Sequence, residues 1–562
     1  MRTAVRRALR SSHAPLAAGL VVGLLAAVAL TAGHHAPRSV IPGRRAVQLA
    51  LRDPRTRLAL RGSHWTSARA APLDAQTERV SFYNGPQLVA EDALGRDGTV
   101  MAGVDDRVLP VPYGDWLAYQ PALLVGLCAL FVLMTAVAPW RRLRNLDVAA
   151  ALSLVLSVVL FQHRYVSLSL VLAAPGMIYL LARCARRALG PPSNESASTP
   201  LLSAITPGVD PARRVRWLRT AVIVLGLVFA MIALSSTDPV DVIYAVMQGA
   251  TRLVHGVLPY GHMPPGILHG DTYPILSYAL YVPLALFSPV TNVWDSVDAG
   301  LAVAVVAALA AAWALFRVTA GARARRADAA ARTAGAEEAG LRAALAWLAF
   351  PPVLIAASTG TTDVVLAGML AFAVLLWRRP AAGNGILALA GWFKLAPFAL
   401  LPVSLAPLRG WRLLAAIGAI AAVSASGLAI LLALGGLHGP SDMAHAVAYQ
   451  FSRGSLQSVW SALGIEGLQP VGQACVLGLI AGAVVKLRRE PDLALDRSRM
   501  AALTGAVLIG LQLTADYWAF LYLVWVVPLV CAALYVEPTG EQVAVSAARV
   551  PRALEPAAAS AQ

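Results

Sequence analysis

The chain has 562 residues, of which 58% are hydrophobic and only 14% are charged. A soluble protein of this length could not bury so much apolar surface behind so few charges, so the composition excludes the soluble classes. The formal net charge of +16 would suit a nucleic-acid-binding protein, but the arginines cluster between apolar stretches. That clustering is the positive-inside pattern of a membrane protein, and we expect no nucleic-acid partner.

The N-terminal part of the chain combines an apolar stretch with a polar region. Residues 1–33 begin with arginines and continue into an apolar run, which we interpret as an uncleaved first span. Residues 34–115 are polar and contain alternating segments at 80–83 and 88–90, with turn signals at Asn84-Gly85 and Asp97-Gly98. We predict a small extracytoplasmic α+β module here, with a weak likeness to a PepSY hairpin.

The rest of the chain is predicted to cross the membrane many times. Residues 116–220 hold extra spans and a cytoplasmic linker, residues 221–536 hold the remaining spans, and residues 537–562 form a disordered cytoplasmic tail rich in Ala and Pro. Two proline-broken apolar stretches, 274–287 and 385–407, are predicted to be re-entrant. The fold class is therefore an all-α polytopic membrane protein with roughly 12 spans plus re-entrant segments.

The densest polar signals lie in the predicted outer loop from Ser235 to Tyr273. Carboxylates held at a membrane surface near cationic groups suit proton abstraction beside a phosphate leaving group. The alternative is that the two aspartates that follow the span only cap an interfacial helix. The histidines lack metal-ligand spacing, so no metal ion is expected. The candidate residues of this loop are Asp238, Asp241, Arg252, His255, Tyr260, His262 and Asp271.

The same loop carries a family resemblance. Its order of residues is similar to the first outer loop of GT-C membrane glycosyltransferases, and it resembles most closely glycosyltransferase family 87, which includes polyprenol-phosphate-mannose-dependent mannosyltransferases. Weaker matches occur around Asp363 and Lys394, and the resemblance covers about residues 221–535. Here four spans precede the loop, whereas the family loop usually opens the protein. The matching residues are Asp241, Tyr244, Gly256, Pro259, Tyr260, Tyr273 and Pro274.

The resemblance implies a reaction. A hexose, mannose in the first instance, would pass from a polyprenyl phosphate to a lipid or glycan acceptor at the extracytoplasmic face of the cell membrane, without a cofactor. Asp241 would be the general base, with Asp238 as the neighbouring candidate. The other loop residues, from Arg252 to Asp271, and Asp363 are candidates for substrate binding.

Three further candidates lie outside the first loop. Lys394 interrupts an apolar segment, at a cost of about 2.5–3.5 kcal/mol on membrane-insertion scales, so it contacts the lipid phosphate, extends its ammonium to the membrane surface or is structurally paired. Arg453, in a second outer loop, could reach a substrate or be simply exposed. Asp516 could line the acceptor groove or belong to an interfacial anchor with Trp518.

Two other classes of protein fit the composition. A secondary transporter also combines many spans with broken helices and intramembrane charges, but it places its polar site near the membrane midplane. A non-catalytic membrane scaffold with a sensor module is the third interpretation, and it predicts no effect from the replacement of Asp241.

Overall fold

A computed structural model describes residues 41–61, 64–72, 77–85, 87–100, 116–163, 165–190, 199–236, 239–263, 270–291, 295–323, 329–452 and 457–534. The predicted first span, the tail after residue 536, Asp238 and Arg453 lie outside these residues.

The N-terminal described part contains a small antiparallel sheet in the order β1-β2-β3. The predicted turn at Asn84-Gly85 links β2 to β3, and Gly85 adopts a positive φ of 57° there. Val80 and Phe82 of β2 are buried together with Ala46 in one apolar cluster, as alternation along a strand requires. The extracytoplasmic position of this region and its PepSY likeness stay predictions. The elements are α1 Gly43–Arg52, α2 Pro54–Ala59, β1 Ser67–Pro72, β2 Thr77–Asn84 and β3 Gln87–Gly95.

The remainder is almost entirely helical. The elements before the predicted first outer loop are α3 Pro121–Thr135, β4 Val137–Ala138, α4 Leu143–Gln162, α5 Val166–Leu189, β5 Thr199–Pro200, α6 Leu201–Ile205 and α7 Pro211–Leu234. From that loop onward they are α8 Asp241–Val254, α9 Ile275–Ala279, α10 Val282–Ala285, α11 Asp298–Arg323, α12 Ala329–Ala349, α13 Pro351–Ser358, α14 Thr362–Leu375, α15 Pro380–Phe393, α16 Leu401–Leu405, α17 Gly410–Gly435, α18 Gly439–Ser452, α19 Val459–Leu463, α20 Gln469–Arg489, α21 Arg497–Leu513 and α22 Leu523–Leu534.

The helices confirm an all-α polytopic membrane protein. Among the described residues, six helices are long and apolar enough to cross a bilayer, or seven if the bent pair α12–α13 counts as one span. Four shorter apolar helices accompany them. The predicted number of roughly 12 spans is not confirmed by this count, because helices such as α14 and α15 have only 14 residues each, whereas a crossing needs about 20.

Both proline-broken stretches form short helices. Residues 274–287 contain only α9 and α10, with five and four residues, which is too short to cross the bilayer. In the second stretch α15 ends at Phe393, and Lys394 is extended, with φ −146° and ψ 132°. The two stretches touch, since the Ser277 hydroxyl donates a hydrogen bond of 2.5 Å to the Phe393 carbonyl.

The extra spans share one core with the later helices. Helix α5 packs along α21, and α3 packs along α12. The buried Arg342 of α12 donates two hydrogen bonds, of 3.1 and 2.6 Å, to the carbonyl oxygen of Met134 near the end of α3. A cation at a helix C-terminus offsets the partial negative charge of the unpaired carbonyls. The spans before residue 220 are thus part of the same packed bundle.

Candidate functional site

A buried ion pair lies at the centre of the candidate site. The ammonium of Lys394 lies 2.6 Å from Oδ1 of Asp363, and the two side chains are 11% and 1% exposed. Lys394 occupies the break after α15, where its side chain leaves the helix, and Asp363 lies in the first turn of α14. The sequence left open a phosphate contact or a structural pair for Lys394, and the geometry shows the pair.

Asp363 accepts two further hydrogen bonds. The indole Nε1 of Trp525, on α22, donates to Oδ1 at 2.6 Å. The hydroxyl of Thr361, which caps α14, donates to Oδ2. A carboxylate this deeply buried cannot touch a substrate without rearrangement, and its charge is stabilised by these donors. The arrangement lets Asp363 position Lys394 and Trp525, which differs from the substrate-binding role considered from the sequence.

Three aromatic rings surround the ammonium of Lys394. Its Nζ atom lies 5.9 Å from the ring centroid of Tyr273, 5.3 Å from that of Tyr522 and 5.5 Å from that of Trp525. The rings of Tyr522 and Trp525 are stacked, with centroids 4.6 Å apart. The negative faces of the rings attract a cation in a site with little water, so the rings and Asp363 together hold the Lys394 ammonium in place.

Asp241 begins α8 and is exposed. The N-cap of α8 is Val240, which makes no side-chain cap hydrogen bond, so Asp241 is not the N-cap residue that the capping alternative requires. The Val240 amide donates to the carbonyl of Thr359 at 2.9 Å, which ties the start of α8 to the turn before α14. This contact brings Asp241 to the same side of the molecule as Asp363.

Tyr273 lies beside the Asp363–Lys394 pair. Burial raises the pKa of its phenol well above the ordinary value, and the negative charges of Asp241 and Asp363 raise that pKa further. The Lys394 ammonium, which is bonded to Asp363, lies over the Tyr273 ring, and the start of α8 with Asp241 is hydrogen-bonded to the turn before α14. Asp241, Asp363, Lys394 and Tyr273 therefore border one region of the protein.

Arg252 and His255 lie on the Asp241 side of α8 but farther along it. At a rise of 1.5 Å per residue, they are about 16 and 21 Å from Asp241 along the helix axis. His255 is exposed, and its Nδ1 lies 2.8 Å from the carbonyl oxygen of Thr251 at the helix end. These two residues are too far from Asp241 to contact the same sugar ring.

Three other predicted residues shape the loop after α8. The buried Tyr260 donates from its hydroxyl to the Tyr273 carbonyl at 3.1 Å. Asp271 accepts from the Gly261 amide at 2.9 Å, and Gly261 adopts a positive φ of 70° in this turn. Nδ1 of His262 lies 2.8 Å from the Tyr260 carbonyl oxygen. These hydrogen bonds hold the loop, and with it Tyr273, in place.

The predicted second outer loop reaches the predicted first outer loop through α18. Gln450 donates from Nε2 to the Thr272 hydroxyl at 2.8 Å, next to Tyr273. Asp516 lies at the far edge and accepts from Nε2 of Gln469 at 2.6 Å. Its neighbour Tyr517 has its ring centroid 6.4 Å from that of Tyr522, so these two rings connect Asp516 to the Lys394 cluster.

The aromatic residues around Lys394 were not predicted as site residues from the sequence. Tyr273 belonged to the family pattern but was given no role, and Trp525 lies within the apolar run of α22, where no spacing distinguishes it. Within the described ranges, no group of His, Cys, Asp or Glu side chains is arranged to hold a metal ion.

The later part of the chain matches a known protein family. The sequence profile of glycosyltransferase family 87 matches residues 272–551. The match contains Tyr273, Asp363, Lys394 and Trp525 and begins after Asp241, so the general-base assignment does not rest on it. No curated protein and no solved structure matches the chain. Over residues 272–551 the chain therefore resembles glycosyltransferase family 87, as the sequence predicted, and it is a membrane glycosyltransferase.

Proposed function

We propose that this protein transfers a hexose, with mannose as the first candidate, from a polyprenyl phosphate to a lipid or glycan acceptor at the extracytoplasmic face of the cell membrane. The observation that carries the proposal is that the start of α8, with Asp241, is hydrogen-bonded to the turn before α14, whose first turn holds the Asp363–Lys394 pair. One glycosyl transfer needs a base and a group that favours the departing anion within reach of one sugar. This cluster offers both kinds of group.

Asp241 is the proposed base. Its carboxylate is exposed at the start of α8, where an acceptor hydroxyl can approach it. As the acceptor oxygen bonds to the anomeric carbon, its proton passes to the carboxylate, and the bond from that carbon to the phosphate oxygen breaks. The electron pair leaves with the lipid phosphate. Asp238 remains the neighbouring candidate for the base.

Lys394 is proposed to favour departure of the phosphate. An ammonium has three N–H donors, and the described contact with Asp363 occupies one of them. The remaining donors and the charge can stabilise an anion in a region shielded by aromatic rings. Asp363 holds the ammonium in position, so the pair acts as one unit with net charge near zero before the anion forms.

The basic residues support the proposed extracytoplasmic orientation. Helix α20 ends with Lys486, Arg488 and Arg489 in its last turn, which favours a cytoplasmic position for that end. The start of α20 is Gln469, the hydrogen-bond partner of Asp516. The Gln469 end of α20, which contacts Asp516, would then face outward. The aromatic rings around Lys394 would lie on the same side.

Transfer of label tests the proposal. The full chain in proteoliposomes is supplied with polyprenyl-phosphate mannose, glucose or galactose carrying a radiolabelled sugar, together with extracted envelope lipids as acceptors. We expect one polyprenyl-phosphate hexose to label an acceptor, while the matching nucleotide sugars do not. Transfer from nucleotide sugars alone would contradict the lipid-linked donor, and uptake of free sugar without transfer would favour the transporter.

A further inference from the structure

The side chain of Tyr273 lies beside Lys394 and has no part in the roles proposed for Asp241 and Lys394. Its backbone is held at both ends: the Tyr273 amide donates to the hydroxyl of Tyr278 at 3.2 Å, and the Tyr273 carbonyl accepts from Tyr260. The ring packs edge-on against that of Tyr278, with centroids 6.3 Å apart. The side chain is therefore rigidly held, and it is only partly buried.

One contact joins the Tyr273 ring to the reacting groups, and a second contact joins those groups to each other. The Lys394 ammonium lies over its ring and is bonded to Asp363. The start of α8, with Asp241, is tied by the Val240–Thr359 hydrogen bond to the turn that leads into Asp363. Among the described residues, no hydrogen-bond partner occupies the Tyr273 hydroxyl, whereas the hydroxyl of the neighbouring Tyr278 donates to Gly270 at 2.8 Å.

We propose that Tyr273 is a catalytic residue whose hydroxyl donates a hydrogen bond to the departing lipid phosphate. This inference rests on the proposed function. The phenol gives up no proton in the step: the acceptor's proton goes to Asp241, the bond between the anomeric carbon and the phosphate oxygen breaks, and Tyr273 holds the oxygen that takes the electron pair. A hydrogen-bond donor that is already positioned where negative charge develops stabilises the transition state more than the ground state. It therefore increases the rate of transfer.

The surroundings favour a donor over a base. Burial and the charges of Asp241 and Asp363 disfavour the phenolate, so the phenol is protonated at neutral pH. The nearby cation attracts the same phosphate anion that the phenol would bind. A hydroxyl of the sugar is the competing partner, because it could also accept this hydrogen bond.

The test compares Tyr273→Phe with the wild type in the proteoliposome assay. The variant keeps the ring that packs on Tyr278 and Lys394 and removes only the hydroxyl. We expect kcat to fall on the order of 100-fold, with a donor KM near that of the wild type. Product inhibition by polyprenyl phosphate should weaken about tenfold, as expected for a lost hydrogen bond to a charged group. The acid limb of the pH profile, which reports the base, should not move.

The matched control is Tyr179→Phe, which removes a phenol that donates to Asp147 in the earlier spans, and its kcat should stay at the wild-type value. Wild-type kcat in Tyr273→Phe would overturn the inference while the proposed function stands. A defect that disappears with a deoxy-sugar donor would assign the phenol to a sugar hydroxyl and overturn the phosphate contact. If the wild type transfers from no polyprenyl-phosphate hexose, the proposed function fails and this inference fails with it.

Discussion

Lys394 and Asp363 lie 31 residues apart in the sequence and form an ion pair of 2.6 Å that joins the start of α14 to the residue after α15. Each residue lies at a helix end, Lys394 just after α15 and Asp363 at the start of α14. Removing one partner of such a pair leaves the other charge buried without a counter-ion. The loss of stability is then larger than when both partners are replaced by apolar residues.

Asp363→Asn should destabilise the protein by about 3–5 kcal/mol, because Lys394 loses its counter-ion in a buried site. The loss should appear in thermal unfolding of the detergent-purified protein. The double variant Asp363→Asn with Lys394→Met should recover part of it. The control Glu337→Gln breaks the more exposed pair with Arg219 and should change stability little. Equal stability of Asp363→Asn and wild type would show that the pair does not hold α14 and α15 together.

Gln248→Met should stabilise the protein by about 1 kcal/mol. Gln248 is 1% exposed in α8, and within the described part of the chain neither polar atom of its side chain has a hydrogen-bond partner. An unpaired buried amide costs about 1–3 kcal/mol, and Met fills a similar volume without that cost. Gln469→Met is the matched control and should act in the opposite direction, because the Gln469 amide is paired with Asp516 and Thr514. Destabilisation by Gln248→Met in the same unfolding assay would contradict this account of the site.

The orientation of α20 predicts a labelling pattern. Glu466 precedes the helix and Asp492 follows it, and its 21 residues span about 31 Å. In a cysteine-free background, Glu466→Cys should react with an impermeant maleimide added to intact cells. Asp492→Cys should react only after permeabilisation. The reverse pattern would place Asp516 inside and remove the extracytoplasmic site.

The sequence predicts the membrane class well, because composition and arginine clustering report directly on a bilayer. It also marks Lys394 as a cation that needs a partner, since an unpaired charge in an apolar segment is costly. It does not identify the partner: Asp363 lies in a separate helix, and only tertiary packing brings the two together. Trp525 is similarly hidden, because an indole that donates to a carboxylate looks in the sequence like one more apolar residue.

The predicted outer loop, from Ser235 to Tyr273, shows where the sequence misleads. Its polar residues look like one cluster in the sequence because they are close in the chain. The structure separates them, since a helix places His255 about 21 Å from Asp241 along its axis. Tyr260 and Asp271 are near Tyr273, but the hydrogen bonds described for them stabilise the loop itself. Chain proximity therefore overestimates how many of these residues share one substrate.

Asp241 is proposed as the base of a lipid-linked glycosyl transfer, and the transfer rate of the variant Asp241→Asn measures that role. We expect the rate to fall about 10²–10⁴-fold, because an amide cannot take the acceptor's proton. The control is Asp442→Asn, which removes another exposed first-turn aspartate, at the start of α18, and should keep wild-type activity. Asp238→Asn and the double variant are measured beside it, so that a base three residues earlier is recognised. Wild-type transfer by both single variants and by the double variant, with the protein folded and inserted, would contradict the account.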